Sequence, residues 1–148
     1  VGGIDQRKIH MLAREALRSA GFQPPVCIHM PILLGLDANK MSSSKDNYIA
    51  IEDTRQAIKK KIGSAYCPAR TVENNPIVQL YQYFIFPRFE LVELERPKQY
   101  GGPISYDEFS KLELDYASGK LHPLDIKNGA SKYVELIVGP IRRALHDD

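Results

Sequence analysis

No charge of one sign dominates this chain. Twenty Lys and Arg against 18 Asp and Glu leave a net charge of only +2, so no global basic excess announces a nucleic-acid partner, and any such contact must rest on local patches. Cysteine is scarce. Cys27 and Cys67 lie far apart and lack metal-ligand spacing, which excludes a cysteine-built metal site and predicts two buried reduced thiols in a cytoplasmic protein. No apolar run approaches the ~20 residues that a membrane span needs, so no membrane partner is expected. The Gly-x-x-x-x-Gly-Lys-Ser/Thr spacing of a P-loop is missing, as is the full Gly-x-Gly-x-x-Gly dinucleotide fingerprint. There is no internal repeat, no low-complexity segment and no Ser/His or Cys/His constellation for nucleophilic catalysis. His10 and His29 each stand alone, read as structural residues, and receive no catalytic role.

What is present is ordinary in bulk and specific in detail. The 148 residues are 43% hydrophobic and 26% charged, as expected of a globular protein with one domain or two small ones. Val1, not Met, comes first, and Val1-Gly2-Gly3 enters in mid-pattern; a piece of a longer protein is expected. The stretch with most chemistry is Lys40-Met41-Ser42-Ser43-Ser44-Lys45, just after the turn-like Gly35-Leu36-Asp37-Ala38-Asn39. Two ammonium groups, three hydroxyls and a run of small-residue backbone N–H groups suit a polyphosphate. A solvated Ser/Lys surface loop is the alternative.

Taken in order, Val1–Gln6 reads as a strand end turning into a helix, with the glycines permitting a tight turn and Asp5 as N-cap. Such a turn is where α/β folds place ligands; a purely structural turn is the other reading. The following helix carries Ile9, Leu12, Ala13, Ala16 and Leu17 on one face and ends near Gly21. Val26–Met30 reads as a short buried strand, and Tyr48–Ile51 as an extended segment. Asp53 or Thr54 caps a helix to about Ala65, on which Lys59-Lys60-Lys61 reads as a solvated face, with phosphate contact as the lesser alternative. Asn74-Asn75-Pro76 starts another helix with the stripe Ile77, Leu80, Tyr81, Phe84, Ile85. Residues 89–95 alternate partly, as a strand or a ragged extended piece. Ser105 and Glu108 form a capping box for a helix that stops at Gly119. The last helix starts at His122-Pro123-Leu124-Asp125 and runs towards Leu145, with Pro140 expected to kink or divide it. Its core positions are Ile126, Ala130, Tyr133, Val134, Ile137, Val138 and Ile141. The first fifty residues thus alternate strand and helix, the rest are mostly helical, and the change falls between Ala50 and Asp53.

Together these pieces resemble tyrosyl-tRNA synthetase in its archaeal and eukaryotic form. Gly2-Gly3-Ile4-Asp5-Gln6-Arg7-Lys8-Ile9-His10 and the Lys40–Lys45 loop look like two of its signatures. Asn74-Asn75-Pro76, Tyr100-Gly101-Gly102 and His122-Pro123-Leu124-Asp125-Ile126-Lys127-Asn128 match in order and approximate spacing. The Lys/Ser loop alone indicates a class I aminoacyl-tRNA synthetase; the Gly-Gly-x-Asp-Gln-Arg-Lys stretch selects tyrosine over the tryptophan relative. The resemblance implies the C-terminal half of such an enzyme. Residues 1–52 would be the α/β end of a Rossmann-type catalytic domain, and 53–148 a mostly α-helical anticodon-binding domain. The missing half would hold most of the tyrosine pocket and the homodimer interface.

The implied reaction joins tyrosine to ATP as tyrosyl-adenylate and then transfers it to tyrosine tRNA; ATP is a substrate, and Mg2+ is expected with it, with no protein ligands visible here. Lys40 and Lys45 would be catalytic, stabilising charge on the leaving pyrophosphate. Many class I enzymes have a second lysine at the fourth signature position, which is Ser43 here, so Lys45 would substitute from the sixth. Gly3, Asp5, Met41, Ser42, Ser43 and Ser44 would complete the ATP site, Asp5 accepting from the ribose. Gln6 would hold the backbone groups of tyrosine. Arg7 and Lys8 would meet the tRNA acceptor stem, by base reading or as a phosphate clamp. Tyr100, His122 and Asp125 would recognise anticodon bases by stacking and edge hydrogen bonds; for His122 and Asp125 the alternative is helix capping. Two other functions compete: a free-standing tRNA-binding module without catalysis, and a helical scaffold that kept the sequence by descent.

Overall fold

A computed structural model describes residues 1–146 and divides the chain into two compact units, Val1–Leu33 and Leu34–Asp148. The division falls well before the change in sequence character between Ala50 and Asp53, so the Lys/Ser loop belongs to the same unit as the helices.

In the first unit, strand β1 (Gly2–Gly3) lies parallel to β2 (His29–Met30), with Gly2 opposite His29 and Gly3 opposite Met30. A 3-10 turn, Ile4–Gln6, leads into helix α1 (Arg7–Ser19). Asp5 sits inside that turn and does not cap the helix; the N-cap position is Gln6, without a side-chain cap. The C-terminus closes as expected of a glycine stop. Gly21 has φ 79, Phe22 N–H donates to Leu17 O and Gly21 N–H to Arg18 O, the paired bonds of a Schellman motif. The predicted strand 26–30 shrinks to two residues because its partner β1 offers only two. Val26 and Ile28 are exposed, as are Ile9 and Leu12 on the apolar face of α1. Cys27 is half-buried rather than buried.

The second unit carries the core. Its elements are α2 (Arg55–Ser64), α3 (Pro76–Leu80), the antiparallel pair β3 (Val92–Leu94) and β4 (Ile104–Tyr106), α4 (Phe109–Ser118) and α5 (Pro123–His146). Thr54 caps α2 by accepting from Ala57 N–H. Asn75, fully buried, caps α3 by accepting from Ile77 and Val78 N–H, with Pro76 at the first position where its missing N–H is not needed. A wider π turn, Tyr81–Ile85, continues α3. Ile58 and Ile62 of α2, Ile77, Tyr81 and Ile85, Val92 and Leu94, Leu112 and Tyr116, and Ile126 and Ala130 pack as one core. Each buried aliphatic contributes about 1.5–3 kcal/mol. Polar ties fix the register: Tyr81 Oη donates to Ile126 O at 2.8 Å, and Glu93 N–H donates to Tyr133 Oη at 2.7 Å.

Several expectations are corrected here. Ser105 is not an N-cap. It lies in β4 opposite Glu93, because pairing with β3 buries Tyr106 and satisfies more backbone than a cap would. The helix starts later, with Glu108 at the cap position and no side-chain cap bond. Phe84 and Ile141 are exposed, the wider π turn having rotated Phe84 off the α3 stripe. Helix α5 is not divided at Pro140, and Cys67 is half-buried rather than buried. Lys61 is no part of a solvated face: its side chain is only 19% exposed and ion-paired.

Candidate functional site

The Lys/Ser loop is built on a tight turn. Leu34 and Lys40 form an isolated antiparallel bridge, Gly35 N–H donates to Asn39 O at 2.7 Å, and Ala38 takes a left-handed φ of 62. Asn47, buried at 6% exposure, staples the base. Its Nδ2 donates to Asp37 Oδ1 at 2.7 Å and to Lys40 O at 3.2 Å, and its Oδ1 accepts from Ser42 N–H at 2.8 Å. Its backbone O accepts from Leu36 N–H at 2.7 Å. A Cβ on Gly35 would overlap the Asn47 amide, so this position requires glycine. The Asn47 amide also holds the Asp37 carboxyl below its ordinary range.

Beyond Ser42 the chain makes a 3-10 turn, Ser43–Lys45, with the Ser42 and Ser44 hydroxyls 2.9 Å apart. Lys40, Met41, Ser43, Ser44 and Lys45 are exposed. Among the described residues neither Lys40 nor Lys45 joins an ion pair. The loop therefore presents two uncommitted ammonium groups and two linked hydroxyls, a set able to neutralise and hydrogen-bond phosphate oxygens.

Asp46 follows with a left-handed φ of 48. Its carboxylate pairs with Lys61 Nζ at 3.0 Å, and Lys61 also meets Asp53 at 2.9 Å and Tyr48 O at 3.1 Å. Burial pulls the Lys61 ammonium down, but the hydrogen bonds to Asp53 and Asp46 outweigh it and leave its pKa raised.

In the first unit, Gly3, Asp5, Gln6, Arg7 and Lys8 form one continuous stretch. Asp5 and Gln6 are exposed, and Gln6 Nε2 donates to Asp5 Oδ2 at 3.0 Å. A Cβ on Gly3 would overlap Asp5 Oδ1, so Gly3 is what lets that carboxylate fold back over the turn. Arg7 and Lys8 line a shallow groove with Ile4, Met11, Leu12 and Glu15. His10 Nδ1 and His29 Nε2 lie 3.0 Å apart, joining α1 to β2 beneath the glycine turn; the two are a pair and not isolated. Burial, then His10, lowers the pKa of His29.

At the helical end, Tyr100 is 65% exposed and ends a 3-10 turn, Lys98–Tyr100, closed by Gly101 at φ 94. Arg96 holds that turn. Its Nε donates to Gly102 O at 3.0 Å and its Nη1 to Lys120 O at 3.1 Å. His122 and Asp125 cap α5 reciprocally: Leu124 N–H donates to His122 Nδ1 at 3.1 Å and His122 N–H to Asp125 Oδ2 at 3.0 Å. The capping alternative raised by the sequence is therefore present in the fold. Asn47 and Arg96 were not singled out from the sequence, and Lys61 entered only as part of a run read as a solvated face. Each acts on groups distant in the chain or on backbone carbonyls, for which residue type carries no signal.

Among the described residues, no cluster of three His, Cys, Asp or Glu is placed to hold a metal ion, and no helix is long and apolar enough to cross a membrane.

The family profile described as tRNA synthetases class I (W and Y) matches residues 1–139. A tyrosine–tRNA ligase of Methanosarcina mazei is 54% identical over 145 residues, covering 98% of this chain and 46% of the relative. One of Archaeoglobus fulgidus is 51% identical, covering 98% and 45%. The crystal structure of a tyrosyl-tRNA synthetase complexed with L-tyrosine from Archaeoglobus fulgidus superposes with a TM-score of 0.91 at 51% identity, covering 96% of this chain and 44% of that one. The tyrosyl-tRNA synthetase of Aeropyrum pernix gives 0.89 at 39% identity. The chain thus spans less than half the length of these relatives.

Proposed function

Since the chain belongs to the class I tRNA synthetases of the tryptophan and tyrosine group, we propose that it is the C-terminal part of an archaeal-type tyrosine–tRNA ligase. In this reading, residues 1–52 complete a Rossmann-type catalytic domain and 53–148 form the helical anticodon-binding domain. The full protein activates tyrosine with ATP and transfers it to tyrosine tRNA, as a cytoplasmic homodimer. The observation that carries the reading is the stapled Lys40–Lys45 loop, in which neither lysine is paired among the described residues.

The first step is an in-line displacement at the α-phosphate, in which positioning and charge stabilisation supply most of the catalysis. Lys40 and Lys45 neutralise charge developing on pyrophosphate, and Ser42, Ser43 and Ser44 with the Met41 backbone bind its oxygens. Asp5, freed to fold back by Gly3, accepts from the ribose. Gln6 offers both a donor and an acceptor to the ammonium and carboxylate of tyrosine. Mg2+ accompanies ATP on its phosphates. Arg7 and Lys8 meet the acceptor stem. Tyr100 stacks on an anticodon base, and His122 and Asp125 contact base edges from the α5 start.

Tyrosine-dependent ATP–pyrophosphate exchange by the full-length protein tests this. Lys45→Ala is expected to lower kcat on the order of 10²-fold, the usual loss for one charge-stabilising group, with the KM for tyrosine unchanged. An unaltered kcat overturns the assignment. The second reading, a tRNA-binding module without catalysis, is favoured by the second unit's own core. It expects no exchange activity in any variant.

A further inference from the structure

Asp46 is an awkward neighbour for a phosphate-binding loop. It follows Lys45 directly, its side chain is 74% exposed, and its carboxylate carries the sign of the incoming polyphosphate. Left alone it would repel ATP or pair with the adjacent ammonium. Among the described residues it pairs not with Lys45 but with a lysine of α2. Its Oδ1 lies on Lys61 Nζ at 3.0 Å, turned towards α2. Lys61 is the more buried partner, and its three acceptors, Asp46, Asp53 and Tyr48 O, use all three of its protons. Lys61 is itself fixed by Asp53, which also accepts from Ala50 N–H at 2.8 Å and whose backbone carbonyl accepts from Arg142 of α5.

We infer that Lys61 is a positioning residue that masks Asp46, so that Lys40 and Lys45 face ATP unpaired. This rests on the signature-loop reading above and adds a residue outside the loop to it. Lys61 touches no substrate; it acts by occupying the one carboxylate adjacent to the loop's second lysine. The left-handed φ of Asp46 serves the same end, since it turns the chain so that the acid reaches helix α2.

Suppression separates masking from mere support. In pyrophosphate exchange by the full-length ligase, Lys61→Gln keeps a hydrogen bond to Asp53 but removes the charge. It is expected to lower kcat on the order of tenfold, as for one partly screened unit charge near the reacting phosphates, with the KM for tyrosine unchanged. Lys61→Arg retains the charge and should retain most of the rate. Adding Asp46→Asn to Lys61→Gln removes the unmasked carboxylate and should recover most of the loss. A double variant no faster than Lys61→Gln overturns the proposal and leaves Lys61 as structural support. Should Lys61→Gln fail to fold because Asp53 loses its counter-charge, the same comparison is made on Lys61→Gln/Asp53→Asn, with and without Asp46→Asn, and is read in the same way. Lys45→Ala runs alongside. If it leaves kcat unchanged, the signature-loop reading itself fails and masking falls with it; if it lowers kcat and no suppression is seen, only the masking fails.

Discussion

Replacing Asn47 with alanine tests whether the signature loop owes its form to one buried amide. The substitution deletes three hydrogen bonds, to Asp37 Oδ1, Lys40 O and Ser42 N–H. At about 1 kcal/mol net for each, the loss is about 3 kcal/mol, reduced towards 2 where Asp37 and Lys40 regain water. The backbone bond from Leu36 N–H to Asn47 O survives, and the core at Ile58, Tyr81 and Ile126 is untouched. The cost therefore falls on local opening of residues 37–47 and not on global unfolding. The Ser42 amide reads it directly, because Asn47 Oδ1 is its acceptor. Its hydrogen exchange should quicken by about two orders of magnitude, while the melting temperature moves little. The Asn47→Asp variant is the sharper form. A carboxylate then faces the Asp37 carboxylate where an amide had donated at 2.7 Å, so the loop should open further at neutral pH and recover as acid lets the two share a proton. Unchanged Ser42 exchange in Asn47→Ala would refute the staple.

Two further outcomes follow from packing and from titration. Gly129 lies where a Cβ would overlap Leu94 Cδ2 and Tyr81 Oη, so Gly129→Ala should destabilise the helical unit by about 1–3 kcal/mol, seen as a lower urea midpoint. His29, whose pKa is lowered by burial and by His10, binds fewer protons folded than unfolded. Stability should thus be full above the ordinary histidine value of 6.5 and fall as pH drops below it; His29→Gln should flatten that part of the profile in thermal melts across pH 5–8.

The helix stops, and the starts of α2 and α3, were legible because each rests on one residue and its immediate neighbours, whereas Asp5 and Ser105 were misread as caps. Gly21 and Gly119 end helices with positive φ, and Thr54 and Asn75 cap them through their own side chains. Where a pattern served two local structures, the tertiary partner decided. Ser105-x-x-Glu108 suits a capping box, but Ile104 and Tyr106 alternate as a strand does, and β3 was available to pair. Charge was misread for the same reason. Lys59-Lys60-Lys61 looks solvated as a run, yet Lys61 meets Asp46 and Asp53, acids whose approach depends on the turn at 46. The candidate site divides along this line. Its lysines and serines are visible in the chain as written, whereas Asn47, Lys61 and Arg96, which position them or their counterparts, act through contacts that only the fold brings together.

At the start of α5, capping and the proposed recognition do not compete for the same atoms. The cap engages Asp125 through Oδ2 and His122 through Nδ1. Asp125 Oδ1 and His122 Nε2 are the groups that the proposed base contacts would use. A carboxylate held by the backbone N–H of His122 has lost most of its rotamer freedom before any ligand arrives, so less entropy remains to be surrendered on binding. The Pro123 ring restricts the same turn from the other side. Arg96 extends the logic to Tyr100, because one guanidinium bonds both Gly102 O and Lys120 O and so ties the turn that presents the aromatic ring to the segment that enters α5. The cap seen in the structure and the proposed reading of bases are thus compatible, because capping leaves free, and already ordered, the groups that the proposal assigns to base contact.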